Sequence, residues 1–442
     1  MRISRAVIAA ACVSLLTLAA CGSSQDDPES PNYQGAYLYG TDGNMANEFG
    51  ALFKEQAGLL DGMKGTLPLT ELNQTFTSRL NAVWPGLKDY LFAAETYDAM
   101  MISALAAQQA GTVEPAKIAQ YVNGVTSGEI VCRTFQSCLT LARDGKSIAY
   151  RGITVRHGFT DAGEPSTTSY GTVHFSSANQ LDNGKTEYLG TGNELNASGK
   201  KPPRPAKDGK SAVALKFGGL LPQTGALAYT APPMLAAAKL AVKEINEAGG
   251  VLGKNVEWVD GNDGTDPRVA TATIAKHAAE GVHILIGPGA SGVALASLPE
   301  AVKHGMIMFS PCNTSASLTT ADDKGLYFRT APSDILQARA IADVILRDGD
   351  RKVAIVAHSG NYGTNLAKDV VKELVKAGLS EIDVQTHIYQ ITDDGSVKDK
   401  AELERIAGDI VSVQPDGVLV IGYSESAEVV KALSTAGAVL RH

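Results

Sequence analysis

The chain has 442 residues, 44% of them hydrophobic and 19% charged, with a formal net charge of −8. That length gives room for about two to three domains of ordinary size. The acidic balance excludes nucleic acid as the main partner, and beyond the N-terminal stretch no apolar run is long enough to cross a bilayer.

Residues 1–20 read as a lipoprotein signal peptide. Arg2 and Arg5 form a basic start, and residues 6–18 form an apolar run too short for a stable span. Leu18-Ala-Ala-Cys-Gly22 then resembles a bacterial lipobox, which implies cleavage before Cys21 and lipidation of its thiol. A plain secretory signal with a chance cysteine is the other reading. Residues 21–30 are a polar tether. The expected location is the bacterial cell envelope, outside the cytoplasmic membrane, held by acyl chains rather than by a span. In an oxidising compartment Cys132 and Cys138, which flank five residues, suit a local disulfide, or else stand as two unpaired thiols. Cys312 is left over. No Cys/His spacing resembles a zinc site, and no metal or cofactor is expected.

The first part of the body is mixed. Residues 35–39 read as a strand that ends in Gly40-Thr-Asp-Gly43, followed by a helix over 45–55 and a strand near 65–69. Residues 77–121 read as mainly helical, most clearly 91–105. From 130 to 189 short β-like segments (153–159, 171–175) alternate with turns. Residues 190–211 are polar and without period, and read as a flexible linker.

After the linker the pattern is regular. Strands are expected at 213–217, 255–259, 282–286, 306–309, 326–329, 352–357, 382–389 and 417–421. Helices are expected from Pro232, from Pro267, after Ser291, and over 335–346, 362–376, 400–412 and 425–433. This alternation predicts parallel, doubly wound sheets, and more than eight units of it predicts two lobes. Within it, residues 281–334 place small polar residues at three strand ends: Gly287-Pro-Gly-Ala-Ser291, Ser310-Pro-Cys-Asn-Thr314 and Thr330-Ala-Pro-Ser-Asp334. That edge of an open α/β sheet is where ligands bind. Ser291 reads as a helix N-cap, a place suited to an anion such as a carboxylate.

Six short motifs carry a resemblance. They are Pro222-Gln-Thr-Gly225, Ile245-Asn-Glu-Ala-Gly-Gly-Val251, Asp263-Gly-Thr-Asp-Pro267, the 287–291 turn, Phe328-Arg-Thr-Ala-Pro-Ser-Asp334 and Asn361-Tyr-Gly363. In this order, residues 212–442 resemble the first two-thirds of type I solute-binding proteins of ABC transporters, of the leucine/isoleucine/valine-binding kind. Residues 31–190 resemble the remaining third through Gly40-Thr-Asp-Gly43 and Phe92-Ala-Ala-Glu-Thr-Tyr-Asp-Ala99. The usual last third thus comes first, which reads as a circular permutation with 190–211 joining the usual ends. The resemblance implies the type I periplasmic-binding-protein fold: two doubly wound parallel-sheet lobes joined by a three-crossing hinge. One lobe would hold 67–150 and 212–331, the other 31–66, 155–190 and 335–442.

The resemblance further implies a non-enzymatic, monomeric protein that captures a small amino acid, branched-chain or similar and possibly amide-like, and delivers it to an ABC transporter permease. Ser291 matches the serine that binds the ligand carboxylate, with simple capping as its other reading. Cys312 and Thr314 match the loop that offers a carbonyl to the ammonium and a hydroxyl with an N–H to the carboxylate. Asp42 falls where the family places an acid against the ammonium, though a turn aspartate would look the same. It is shorter than the glutamate common there. Tyr362 matches a cleft aromatic, and Tyr97, Tyr229 and Tyr423 are candidates for closing the side-chain pocket or for plain packing.

Two rivals stand beside this reading. A ligand sensor with the same fold would share every feature above. An NAD-dependent oxidoreductase is suggested by Gly287-Pro-Gly-Ala-Ser-Gly292, which fits a G-x-G-x-x-G turn after a strand. Against it, the next strand ends in Ser310-Pro311-Cys312 where an acid belongs, and Pro288 lacks an N–H that a pyrophosphate would use.

Overall fold

The computed structural model describes residues 33–441. The signal-peptide and tether readings, with Cys21, lie outside the described residues. From Gly35 onward the chain forms one unit. It begins with β1 (Tyr37–Thr41), α1 (Asn47–Ala51), β2 (Lys64–Pro68), α2 (Gln74–Val83), α3 (Ala93–Ala110), α4 (Pro115–Val122) and α5 (Gly124–Ser127). Then come β3 (Ile130–Cys132), α6 (Phe135–Arg143), β4 (Ile148–Tyr150), β5 (Thr167–His174) and β6 (Glu187–Gly192). The regular part follows: β7 (Lys216–Gly219), α7 (Ala231–Glu247), β8 (Glu257–Val259), α8 (Pro267–Ala279), β9 (Ile284–Ile286), α9 (Ser291–Lys303), β10 (Ile307–Ser310) and β11 (Tyr327–Arg329). The last elements are α10 (Asp334–Arg347), β12 (Val353–His358), α11 (Asn361–Lys376), β13 (Val384–Tyr389), α12 (Lys400–Val413), β14 (Gly417–Ile421) and α13 (Ala427–Thr435).

Two larger sheets result. One has the order β11-β10-β9-β7-β8 and is parallel throughout. The other runs β13-β12-β14-β1-β2-β5-β6, parallel except for β5 and β6 at its edge. Strands buried on both faces explain the unbroken apolar runs. In the first sheet Ile284 and Ile286 share a core with α3 and α7, while Leu285 faces Ala294 and Leu298 of α9. In the second, Ile355 and Leu419 face α10 and α11, while Val356 and Val418 face Leu403 and Ile406 of α12. β1 lies between β14 and β2, and its approach is held beside the C-terminal stretch: Ala36 N–H donates to the Val439 carbonyl at 2.8 Å and Arg441 N–H to the Ala36 carbonyl at 2.9 Å.

The chain passes from elements of one sheet to those of the other four times: after β2, before β5, between β6 and β7, and between β11 and α10. These crossings bring the strand ends of both sheets to one cleft. No helix of the described residues is long and apolar enough to cross a membrane.

Four local readings change. Residues 153–159 form no strand, and between the short β3 and β4 lies α6, capped by Thr134 and Ser137. The helix expected over 45–55 regular geometry keeps only as α1. The 190–211 stretch is not a free tether. Its start belongs to β6, and further on Ala206 N–H bonds the Gln109 carbonyl at 2.7 Å and Asp208 N–H the Arg143 carbonyl at 2.9 Å. The Cys132–Cys138 disulfide is present, and Cys312 is free and buried.

Candidate functional site

The site is built where β1, β9 and β10 end. β1 delivers Asp42, 5% exposed, into a turn closed by Gly43. A Cβ on Gly43 would stand 2.3 Å from the Gly422 carbonyl oxygen, so only glycine lets this turn meet β14. Asp42 Oδ1 accepts from Gln337 Nε2 at 2.7 Å and from the Tyr362 hydroxyl at 2.7 Å. Burial pushes the Asp42 carboxyl up, and these two bonds offset part of the rise. Tyr362 also meets Thr41 Oγ1 at 2.7 Å and stacks on Tyr423, with ring centroids 5.4 Å apart and an interplanar angle of 15°. His358 lies behind that stack, 4.9 Å from Tyr423, and burial lowers its imidazole to about 3, so it is neutral.

From the other sheet, β9 runs into the turn at Gly287 and then α9. Gly287 has φ +130, and a Cβ there would overlap the Leu220 carbonyl oxygen at 1.8 Å. Asp263 fixes this turn: Oδ2 accepts from Gly289 N–H at 2.6 Å and Oδ1 from Thr265 N–H at 2.7 Å. Burial raises Asp263 to about 7. Ser291 is not the N-cap. It is the first residue of α9, after Ala290, and its Oγ instead accepts from Thr314 N–H at 3.3 Å and Ser315 N–H at 3.2 Å. Asn313 ties the same loop to the turn through the carbonyls of Pro288 and Gly289. Cys312 is held by a bond from its N–H to Ser310 Oγ at 3.2 Å. Burial, then Asp42, Asp263 and Glu95, hold its thiol well above the ordinary range.

Asp42, Tyr362 and Tyr423 thus meet Ser291, Cys312 and Thr314 around one small cavity of about 10 Å³, the room that one water needs. Phe92, Leu227, Gly43 and Gly289 complete its wall, and among the described residues no lysine or arginine lines it. The arrangement sets a carboxylate against backbone N–H groups and a hydroxyl across a few ångströms, within apolar walls. That can hold a small molecule with a cationic end and an anionic end. No group of three or more His, Cys, Asp or Glu among the described residues could hold a metal.

The periplasmic binding protein family model matches residues 214–441, just over half of the chain. The chain belongs to the periplasmic binding protein family. Over 171 residues it is 32% identical to the Leu/Ile/Val-binding protein BraC3 of Rhizobium johnstonii, covering 38% of this chain and 46% of that one. Over 159 residues it is 31% identical to the leucine-, isoleucine-, valine-, threonine-, and alanine-binding protein of Pseudomonas aeruginosa, covering 36% and 42%. The chain therefore spans less than half the length of the curated relatives it matches. The leucine-binding protein LivK of Thermotoga maritima aligns over 48% of this chain and 57% of that one, at 22% identity and a TM-score of 0.37.

In this periplasmic binding protein, six of the eight residues singled out from sequence line the cavity. Tyr229 stands just behind it, its hydroxyl donating to the Gly43 carbonyl at 2.6 Å. Tyr97 lies elsewhere. Its hydroxyl bonds Glu244 and its ring meets Phe76 edge-on, beside a separate recess of about 410 Å³. Phe92 and Asp263 stand in the motifs that carry the resemblance but have no site role from sequence, and Gln337 has neither. Phe92, with φ +57, opens α3 at its N-cap, a backbone state no local pattern announces. The glycine-rich turn that suggested a dinucleotide has its polar groups engaged internally: Gly289 N–H on Asp263, and the Pro288 carbonyl on Ser310 and Asn313.

Proposed function

We propose that this protein captures a small amino acid, branched-chain or similar, between its two sheets and presents it to an ABC transporter permease. One observation carries the reading: Asp42 from one sheet and Ser291 with Thr314 from the other border a single cavity. The ammonium of a zwitterion fits Asp42 and the Cys312 carbonyl. The carboxylate fits the Ser291 hydroxyl and the N–H groups of the 314–315 loop at the start of α9, where the helix dipole favours an anion. Phe92, Leu227 and Tyr423 supply an apolar wall for the side chain. The names of the two curated relatives, both binding proteins for leucine, isoleucine and valine, support the ligand class.

A cavity with room for one water cannot admit an amino acid without movement. Binding on this reading needs the sheets to part and re-close as two lobes, hinged at the three crossings other than the connection from β6 to β7. Ligand stabilises the closed state because only closure joins contacts from both sides. The permease then distinguishes closed from open. The protein works as a monomer without cofactor or catalysis, outside the cytoplasmic membrane, anchored through lipid on Cys21. The chain order is a circular permutation of the family's. β1 adds to β14 as a later strand would, and Ala36 beside Val439 supports continuity there.

A thermal-shift screen of the mature chain against the twenty amino acids, small amides and urea tests this. A ligand that binds only the native state stabilises by about 2.7 kcal/mol at a hundredfold excess over Kd. A shift with a few related compounds is expected. A sharp melt that none of them moves would overturn the amino-acid assignment.

A further inference from the structure

One contact between elements of the two sheets joins acid to acid. Glu48 stands on α1, whose Phe49 packs on Phe53 and on Phe175 just after β5. Asp89 stands in the loop between α2 and α3. That loop belongs to the other side: Leu87 and Tyr90 pack on the core that α2, α3 and α7 share, and the Tyr90 hydroxyl accepts from Asn81 Nδ2 of α2 at 2.7 Å. The two carboxyls nevertheless lie within hydrogen-bond reach of each other. Asn47 Nδ2 adds a second contact across the same boundary, donating to the Lys88 carbonyl at 3.3 Å. Shortly beyond Asp89, Phe92 lines the ligand cavity.

Glu48 Oε2 and Asp89 Oδ2 are both buried and both without a hydrogen-bond partner. Ionised carboxylates can only accept, so neither oxygen can serve the other while both acids are charged. A proton changes this. It makes one acid a donor and the other its acceptor, and it removes the repulsion between like charges. Burial, then the bond and the charge of Glu48, raise the Asp89 carboxyl to about 7, and the N–H groups of Leu91 and Asn47 offset a part. Beside the pair stand Lys88, with Nζ 3.8 Å from Glu48 Oε1, Tyr90 and Tyr188 in an adjoining recess of about 280 Å³, and Tyr229, whose hydroxyl is held well above its ordinary range by burial. Asp89 lines that recess, so a proton reaches it from solvent.

We propose that Glu48 and Asp89 form a proton latch between the lobes: closing on a ligand takes up a proton from solvent, which the two carboxyls then share, and opening releases it. The inference rests on the reading that the sheets part and re-close as two lobes. Parting separates the acids and returns Asp89 to water, where a carboxyl titrates near about 4. The latch therefore favours closure in full below about pH 4, and that contribution is lost as pH climbs through about 7. Between pH 6 and pH 8 the closing equilibrium, and ligand affinity with it, falls about tenfold.

Calorimetric titration of the full mature chain with leucine, at pH 6 and pH 8 and in two buffers of different ionisation heat, tests this. The parent is expected to bind about tenfold more weakly at pH 8, and to take up close to one proton per leucine at pH 6. Asp89→Asn, whose amide donates to Glu48 at either pH, is expected to bind equally at both and to lose that uptake. Glu48→Gln, which donates to Asp89 instead, replaces it should Asp89→Asn not fold. Equal affinity at both pH values in the parent, or the same pH loss in the variant, would overturn the latch. Small-angle scattering without ligand reads the latch separately: the parent should be more compact at pH 6 than at pH 8, and the variant the same at both. If leucine binds at neither pH, the ligand reading fails and the scattering decides the latch, which a parent of unchanged dimensions overturns.

Discussion

The Tyr362 hydroxyl lies 2.7 Å from Asp42 Oδ1, inside a wall that both residues share. This contact and the one from Gln337 hold the carboxylate in position before any ligand arrives, so the cost of orienting it is not charged to binding. Tyr362→Phe removes one donor and is expected to weaken amino-acid binding about fivefold, from a net loss near 1 kcal/mol. Asp42→Ala removes the counter-charge for the ammonium and is expected to cost about 1.5–3 kcal/mol. Isothermal titration of both variants checks this, and parental affinity in Asp42→Ala would sink the ammonium assignment.

Ser291→Ala separates structure from binding. Its Oγ is the acceptor for two buried N–H groups, those of Thr314 and Ser315. Leaving such donors unpaired costs about 1–3 kcal/mol each. The variant is expected to melt lower without ligand and to regain part of the loss when an amino acid is added, because a carboxylate can replace the missing acceptor. Melts with and without the ligand found in the screen read this directly. A variant as stable as the parent would show that those N–H groups find another partner.

How much of this was legible in sequence follows from what each residue depends on. β9, β10, β12 and β14 are buried on both faces, so their apolar runs carry the signal themselves. α6 also carried one, with Phe135, Cys138, Leu139 and Ala142 on one face, but the β-like segments around it obscured the period. The 200–211 stretch has no period because it is bound through its backbone, as at Ala206 and Asp208, which composition does not record. Ser291 fits a capping pattern, yet its oxygen serves the loop after β10, a partner 23 residues on. Asp42, Tyr362 and Gln337 come together across 295 to 320 residues of chain. Only the family's motifs could point to the first two, and nothing local pointed to the third.

Stability is expected to fall as pH rises toward 8. Burial raises Glu95 to about 8, and Asp263 and Glu425 to about 7, against about 4 for unfolded carboxyls. Between those limits the native state keeps protons that the unfolded state has released. The contribution is fully present below about pH 4 and is lost as pH climbs through the folded values, at about 1.4 kcal/mol per pH unit for each group. His358, lowered to about 3, acts the other way: stability falls as pH drops below about 6.5. Between pH 7 and 8 Glu95 still titrates after Asp263 and Glu425 have largely lost their protons. Urea unfolding at both pH values should show a steeper loss in the parent than in Glu95→Gln, and equal losses would refute this role.

The pair of Arg329 and Glu164 is expected to be the most sensitive point for folding away from the cavity. Arg329 is fully buried, and its guanidinium bonds Glu164, the Ser315 carbonyl and Thr319. It clamps the loop before β5 to β11 and to the loop after β10. Removing one partner of a buried pair leaves an uncompensated charge and costs about 3–5 kcal/mol. In urea unfolding Glu164→Ala should lower the unfolding free energy by that amount, while Lys303→Ala, whose partner Glu300 forms an exposed pair, should change it by less than about 1 kcal/mol.

If the order of the chain is a permutation, restoring the family's order should preserve the fold. Ala36 and Arg441 are already joined by a backbone bond of 2.9 Å, so a short connection from 441 to 35 adds little loop entropy. The chain can be opened at Gly199, where a Cβ would meet nothing within 4 Å and the neighbouring Lys200 is exposed. Such a cut falls where backbone bonding is sparse, between Ser198, bonded to the Phe159 carbonyl, and Ala206, bonded to the Gln109 carbonyl. The re-ordered chain is expected to melt within a few degrees of the parent and to bind the same ligand with similar affinity. Loss of a cooperative melt would show that the connection through 190–211 is part of what holds the sheets together. Retention of the melt with loss of binding would place its effect on closure of the cleft.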